Sequence, residues 1–148
     1  MLDQFYWPEQ DNTLRAFFYE RDQPPQIVDD DDDVDTHRAQ ETLDLTGINR
    51  DPTHPRFSDR DRRWLKRMNA WSLAEQAKTW IGENDSDQIR SMAVELAKGI
   101  GFWSVWFTVF RDDIDMCKRL INEDGFPGTE TLCFADDMTL EPRPGGSI

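Results

Sequence analysis

An unbroken run of aspartates is the part of this sequence whose residue types most directly suggest chemistry. Its members are Asp29, Asp30, Asp31, Asp32 and Asp33, and Asp35 follows one residue later. Alternating aspartates could ligate calcium, but an EF-hand loop needs Gly at its sixth position and Glu at its twelfth. Val34 and Gln40 occupy those positions. The run is therefore interpreted as a solvated acidic linker or as a docking strip for a basic partner.

A basic segment with interleaved aromatic residues lies between Arg56 and Arg67. On a helix, Arg60, Arg63 and Arg67 fall on one face, and the opposite face is expected to carry Trp64, Leu65 and Met68. Such a helix could contact nucleic acid. The net charge of −13 favours the alternative, in which these arginines pair with acids of this chain or of a neighbour.

Residues for catalysis or metal binding are sparse. His37 and His54 are far apart in the sequence, and Cys117 and Cys133 form no C-x-x-C pair, so both thiols are expected to be buried or half-buried. The common nucleotide-binding, nucleophile-elbow and zinc-protease motifs are missing. We therefore predict no catalytic residues, no metal and no cofactor.

Aromatic residues near the N-terminus form a second candidate contact surface. Phe5, Tyr6 and Trp7 lie outside the predicted core, and Tyr and Trp are enriched at interface hot spots. They either contact another chain or pack back on their own domain. Within Met1–Tyr19, the short segment around Phe17 fits a helix and a strand almost equally well.

Charge is unevenly distributed along the 148 residues. The balance is −9 over residues 1–57, +3 over residues 58–81 and −7 over residues 82–148. So much negative charge opposes binding to a phosphate backbone, and we therefore do not expect direct binding to nucleic acid. The longest apolar stretch, Ile100 to Phe110, is too short for a membrane span, and no basic and apolar leader opens the chain. We expect a cytoplasmic or virion location.

Helical periodicity predicts the elements that would position these residues. A short helix is expected from Asp35 to Leu45, capped by Asp35 or Thr36 and ended by Gly47. Another is expected from Ser58 to Trp80, with a break near Asn69 because Ser72 begins a second capping box. Ser86 is expected to cap the next helix, which closes at Gly99.

The segment from Phe102 to Ile121 is predicted as one amphipathic helix of about five turns, because polar residues recur every three or four positions. After this helix the apolar residues recur at every second position, which is the pattern of a β-strand. Thr129–Phe134 and Met138–Glu141 are expected to pair as a hairpin, followed by a tail.

The predicted fold is mainly α: a small helical bundle with an aromatic N-terminal arm and a short C-terminal β-hairpin or extended tail. Its expected divisions are an arm and acidic linker at 1–33, a helical core at 34–125, and the hairpin and tail at 126–148.

Two functional hypotheses follow from the arms and the segregated charge. The first is a non-enzymatic structural or interaction subunit, such as a virion head–tail or neck component, that binds a protein partner or its own copies. The alternative is an acidic DNA mimic that inhibits a nucleic-acid-binding protein. Its phosphate-like charges would come from the aspartate run and from Asp112, Asp113, Asp115, Glu123 and Asp124.

Overall fold

A computed structural model of the chain describes residues 4–123 and 133–148. It confirms a mainly α fold: the described residues form six helices and one two-stranded sheet. The elements are α1 (Thr13–Ala16), β1 (Phe17–Phe18), β2 (Gln26–Ile27), α2 (Thr36–Thr46), α3 (Arg63–Glu83), α4 (Asp87–Ile100), α5 (Trp103–Val109) and α6 (Ile114–Ile121).

The uncertain N-terminal segment contains both kinds of structure that its pattern allowed. One turn of helix, α1, leads directly into β1. The strands β1 and β2 are antiparallel, and Phe17 lies opposite Ile27. The intervening Pro24 and Pro25 lie outside both strands, as proline's missing N–H requires.

Capping chemistry sets the ends of α2 and α4 close to the predicted positions. The Asp35 carboxylate accepts a hydrogen bond from the Arg38 amide at 3.1 Å, and Gly47 ends α2 with φ of +64°. Ser86 accepts from the Ile89 amide at 3.2 Å at the start of α4. The end of α4 was predicted two residues early, since its C-cap is Gly101.

The predicted start and break of α3 are wrong. Local hydrogen bonds around Ser58 and Asp61 form turns instead of a helix, because short polar side chains compete for nearby amides. The helix therefore begins at Arg63 and runs for 21 residues without a break. The Ser72 hydroxyl bonds back to the Met68 carbonyl at 3.3 Å and caps nothing.

The single five-turn helix predicted after Phe102 is also wrong. It is divided into α5 and α6 by a turn at 110–113, where Asp113 has extended backbone angles and caps α6 through the Met116 amide at 3.1 Å. Aspartate stabilises a helix start better than a helix interior, which accounts for the division. Phe110 and Cys117, on either side of the turn, are both fully buried.

A large apolar core lies between α3, α4, α5 and α6. The small residues Ala74, Ala77 and Ala97 are at most 1% exposed and allow these helices to approach closely around Trp106 and Phe110. We call residues 63–123 the helical lobe. Both cysteines, Cys117 and Cys133, are buried, as expected.

A smaller core joins the N-terminal segment, α2 and Ile148 at the end of the tail. We call residues 4–48 and 133–148 the polar lobe; its Cys133 and Phe134 pack in the core of the helical lobe. Its buried residues include Tyr6, Phe17, Leu43 and Ile148. Of the predicted hairpin, residues 129–132 lie outside the described residues, and Phe134 forms a single antiparallel bridge with Leu140.

Candidate interaction surfaces

One side of the first half of α3 combines exposed cations with an exposed leucine. We call it the α3 basic face; it consists of Arg62, Leu65, Lys66, Met68, Asn69 and Ser72. Leu65 is 50% exposed and lies between the exposed Arg62 and Lys66. The face therefore offers both charge and apolar area to a partner.

The predicted helix faces are wrong at two positions, because Arg67 is buried and Leu65 is exposed, and α2 accounts for the burial of Arg67. The guanidinium of Arg67 is only 3% exposed and donates to the Ile48 carbonyl at 2.8 Å, just beyond the end of α2. Arg63 donates to the Thr46 carbonyl at 2.6 Å and pairs with Asp61 at 2.6 Å. Cations at a helix C-terminus are stabilised by its unpaired carbonyls and dipole.

Two of the three predicted arginines, Arg63 and Arg67, thus bind groups of their own chain. Neither of them pairs with the aspartate run. Burial lowers the pKa of Arg67, while the Arg63 guanidinium lowers the pKa of the Asp61 carboxyl to about 2. The third, Arg60, is exposed in the turn before α3.

The remaining cations of this region have no acidic partner. Among residues 4–123 and 133–148, no carboxylate lies within ion-pair distance of Arg56, Arg60, Arg62 or Lys66. By contrast, Arg15, Arg38, Arg90 and Arg119, which belong to other parts of the fold, all form ion pairs. Unpaired positive charge on a chain of net charge −13 is concentrated at the start of α3.

The aspartate run lines a groove at the other end of α2. We call it the acidic groove; its lining residues are Leu14, Arg15, Phe18, Val28, Asp30, Asp31, Asp32, Asp33, Thr139 and Leu140. Arg15 pairs with Asp31 at 3.1 Å and with Asp33 at 3.3 Å. Asp30 and Asp32 are exposed and, within the described residues, unpaired, as is the flanking Asp29. Phe18 is 39% exposed beside them.

The predicted aromatic contact residues lie mainly against their own chain. Tyr6 is 2% exposed, its ring is covered by the Arg38 guanidinium at 4.4 Å, and its hydroxyl accepts from the Asp35 amide at 2.8 Å. Burial raises the pKa of this phenol. Phe5 and Trp7 are half-buried and meet edge to face, with ring centroids 5.9 Å apart.

A buried carboxylate connects these aromatic residues to the tail, a feature that sequence reasoning missed. Asp11 is 1% exposed and pairs with Arg38 at 3.0 Å. It also accepts from the Ser147 amide at 3.0 Å. Asn12 donates to the Cys133 carbonyl at 3.1 Å and to the Glu141 carbonyl at 2.8 Å. We call these residues the polar hub.

Many of the other acidic residues are neutralised inside the fold. Arg90 lies between Asp85, Asp113 and Asp115, with distances of 2.7, 3.0 and 3.2 Å. The Asp85 and Asp113 carboxylates raise the pKa of the Arg90 guanidinium. Lys78 pairs with Asp112 at 2.7 Å, and Lys98 pairs with Glu123 at 3.1 Å.

The described parts of the chain contain no group of three or more His, Cys, Asp or Glu side chains placed to hold a metal ion. Within the same ranges, none of the helices has the length and hydropathy that crossing a membrane requires.

No family model, curated protein or solved structure matches this chain. What the described residues define is a small mainly α fold with two exposed, oppositely charged surfaces.

Proposed function

We propose that this protein is a non-enzymatic interaction subunit of a larger assembly, and that the α3 basic face is its docking surface. The observation that carries the proposal is the pair of unpaired cations, Arg62 and Lys66, on either side of the exposed Leu65. An apolar centre with a charged rim is the arrangement found at protein interfaces. The sign of the charge predicts an acidic partner surface.

Met68 of the face packs against the buried Ala70, Trp71 and Val105, whereas Arg62 and Lys66 form no ion pair within the described residues. Arg63 and Arg67, which alternate with these cations along the helix, hold the end of α2 through backbone carbonyls. Arg62 and Lys66 contact no acid of the described chain. Exposed cations that form no ion pair within the described chain are available to a partner. A virion neck or head–tail assembly, as predicted above, is one kind of assembly that would supply such a partner.

The DNA-mimic alternative receives less support from the same contacts. A phosphate-like array needs carboxylates that are free to meet a basic cleft. Asp112, Asp113, Asp115 and Glu123 are each paired with a lysine or arginine of this chain, and Asp124 lies outside the described residues.

Affinity capture from the source cells tests the proposed docking surface. The test variant is Arg62→Glu/Lys66→Glu, and the matched control is Arg111→Glu/Lys118→Glu, which changes net charge equally at exposed positions of the helical lobe. We expect the wild type and the control to retain the same partners and the test variant to lose them. Retention of those partners by the test variant, with unchanged circular dichroism, would refute the proposal.

A further inference from the structure

The α3 basic face and the acidic groove are complementary in more than sign. Each combines unpaired charge with an exposed apolar side chain: Leu65 is 50% exposed between Arg62 and Lys66, and Phe18 is 39% exposed beside Asp30 and Asp32. The two surfaces can therefore meet with apolar contact at the centre and ion pairs at the rim.

These two surfaces do not neutralise each other within one chain. The aspartate run precedes the α2 N-cap, Asp35, while Arg63 and Arg67 hold the opposite end of α2 at Thr46 and Ile48. The 11 residues of α2 separate the two ends by about 16 Å, at a rise of 1.5 Å per residue. Salt at physiological strength screens exposed charges beyond about 8 Å. Among the described residues, Arg62 and Lys66 of the face and Asp30 and Asp32 of the groove are therefore left unpaired, although Arg15 pairs with Asp31 and Asp33.

We propose that the partner of the α3 basic face is the acidic groove of a second copy of this chain. This inference rests on the proposed function and identifies the partner. In the contact, Arg62 and Lys66 of one copy approach Asp30 and Asp32 of the next, and Leu65 packs near Phe18. Charge complementarity favours this partner, because one chain carries both the basic face and the acidic groove that matches it.

Such a contact is heterologous: each copy uses two different surfaces. Every copy that binds through its face still offers its groove, so the assembly continues head to tail and ends as a closed ring or an open filament. The net charge of −13 opposes association at long range. Screening weakens that repulsion more than it weakens contacts at a few ångströms, so local complementarity decides the outcome.

Sedimentation velocity on the full chain tests the proposal through two reciprocal charge reversals. One variant carries Arg62→Glu and Lys66→Glu in the face, and the other carries Asp30→Lys and Asp32→Lys in the groove. We expect wild type to form larger species as its concentration rises. Each variant alone should associate with an affinity at least roughly tenfold lower, because like charges then oppose each other. An equimolar mixture of the two variants should regain the larger species, since both of its contacts are complementary again.

The Arg111→Glu/Lys118→Glu variant controls for net charge and should assemble as wild type does. Raising the salt to 1 M, where the screening length falls to about 3 Å, should shift wild type towards monomer. A wild-type chain that stays monomeric at all concentrations, or a mixture of variants that does not reassemble, would overturn self-assembly. Neither result bears on the capture experiment above, so failure of this inference is distinguishable from failure of the proposed docking surface.

Discussion

The helical lobe and the polar lobe achieve stability by different means. Around α3 to α6, fully buried Trp106, Phe110 and Leu120 pack against alanines of neighbouring helices. The polar lobe has a smaller apolar core, and Asp11, Asn12 and Arg38 join its segments through buried hydrogen bonds and an ion pair. Apolar burial tolerates shifts of a side chain, whereas a buried charge pair requires its partner in place. The two lobes should therefore respond differently to substitution.

Phe110→Ala should have the largest effect, because it empties the centre of the helical lobe. Phe110 is completely buried, and truncating such a side chain costs about 3–5 kcal/mol through lost burial and the remaining cavity. Urea unfolding measures the change. Ile114→Ala is the control, since Ile114 is 47% exposed, and its cost should be much smaller. Equal costs would mean that Phe110 does not lie in a packed core.

Asp11→Ala should destabilise the polar lobe by about 3 kcal/mol, because it leaves the guanidinium of Arg38 without its buried countercharge. The distinguishing measurement is a double-mutant cycle with Arg38→Met. If the ion pair dominates, the double variant should be more stable than the sum of the single effects predicts, with a coupling of about 1–3 kcal/mol. Strict additivity would show that the two side chains act independently.

Two glycine substitutions should act in opposite directions in the two lobes. A methyl group at Gly146 would collide with the Gln10 backbone carbonyl, so Gly146→Ala should cost about 2 kcal/mol by displacing the tail. Gly82 lies within α3 and its added methyl group would meet nothing, so Gly82→Ala should stabilise by about 0.5–1 kcal/mol. Thermal unfolding of both variants measures the contrast, which a destabilised Gly82→Ala would contradict.

Alkaline pH should weaken the helical lobe through Cys117. Burial raises the pKa of this thiol to about 12, above its ordinary value. Because the unfolded chain then releases the proton first, stability is full below about pH 8.5 and falls as pH rises, by about 1–2 kcal/mol near pH 10. Burial also raises the pKa of Tyr6 and Tyr19, so both add to the slope. Cys117→Ala should show a shallower decline in unfolding free energy between pH 7 and pH 10 than wild type; identical slopes would contradict the assignment.

Local patterns in the sequence predicted the parts of the fold that depend on neighbouring residues. The caps at Asp35 and Ser86 could be predicted because a side chain and an amide three residues apart suffice to form them. Gly47 could be predicted because glycine readily adopts the left-handed backbone that ends a helix. The division at Asp113 was missed because its apolar stripe runs through the turn without interruption.

Tertiary partners account for what sequence reasoning could not predict. Arg67 is buried because the end of α2 supplies a carbonyl, and no pattern within α3 indicates that. The polar hub joins Asp11 to Ser147, which are 136 positions apart in the sequence. Of the candidate contact residues, the exposed charges of the aspartate run were predicted as exposed, but the basic face proved to be centred on Arg62 and Lys66.

The polar hub also imposes an order on folding. The partners of Asn12, the Cys133 and Glu141 carbonyls, are 121 and 129 positions away, so long segments must be closed before these bonds form. On the ribosome, at about 5–20 residues per second, Asp11 and Asn12 are made several seconds before Ser147 and Glu141, to which they bond. Most of the apolar cover of Tyr6 and Phe17 comes from residues close in sequence, such as Ala39 and Leu43, whereas the hub bonds require the finished tail.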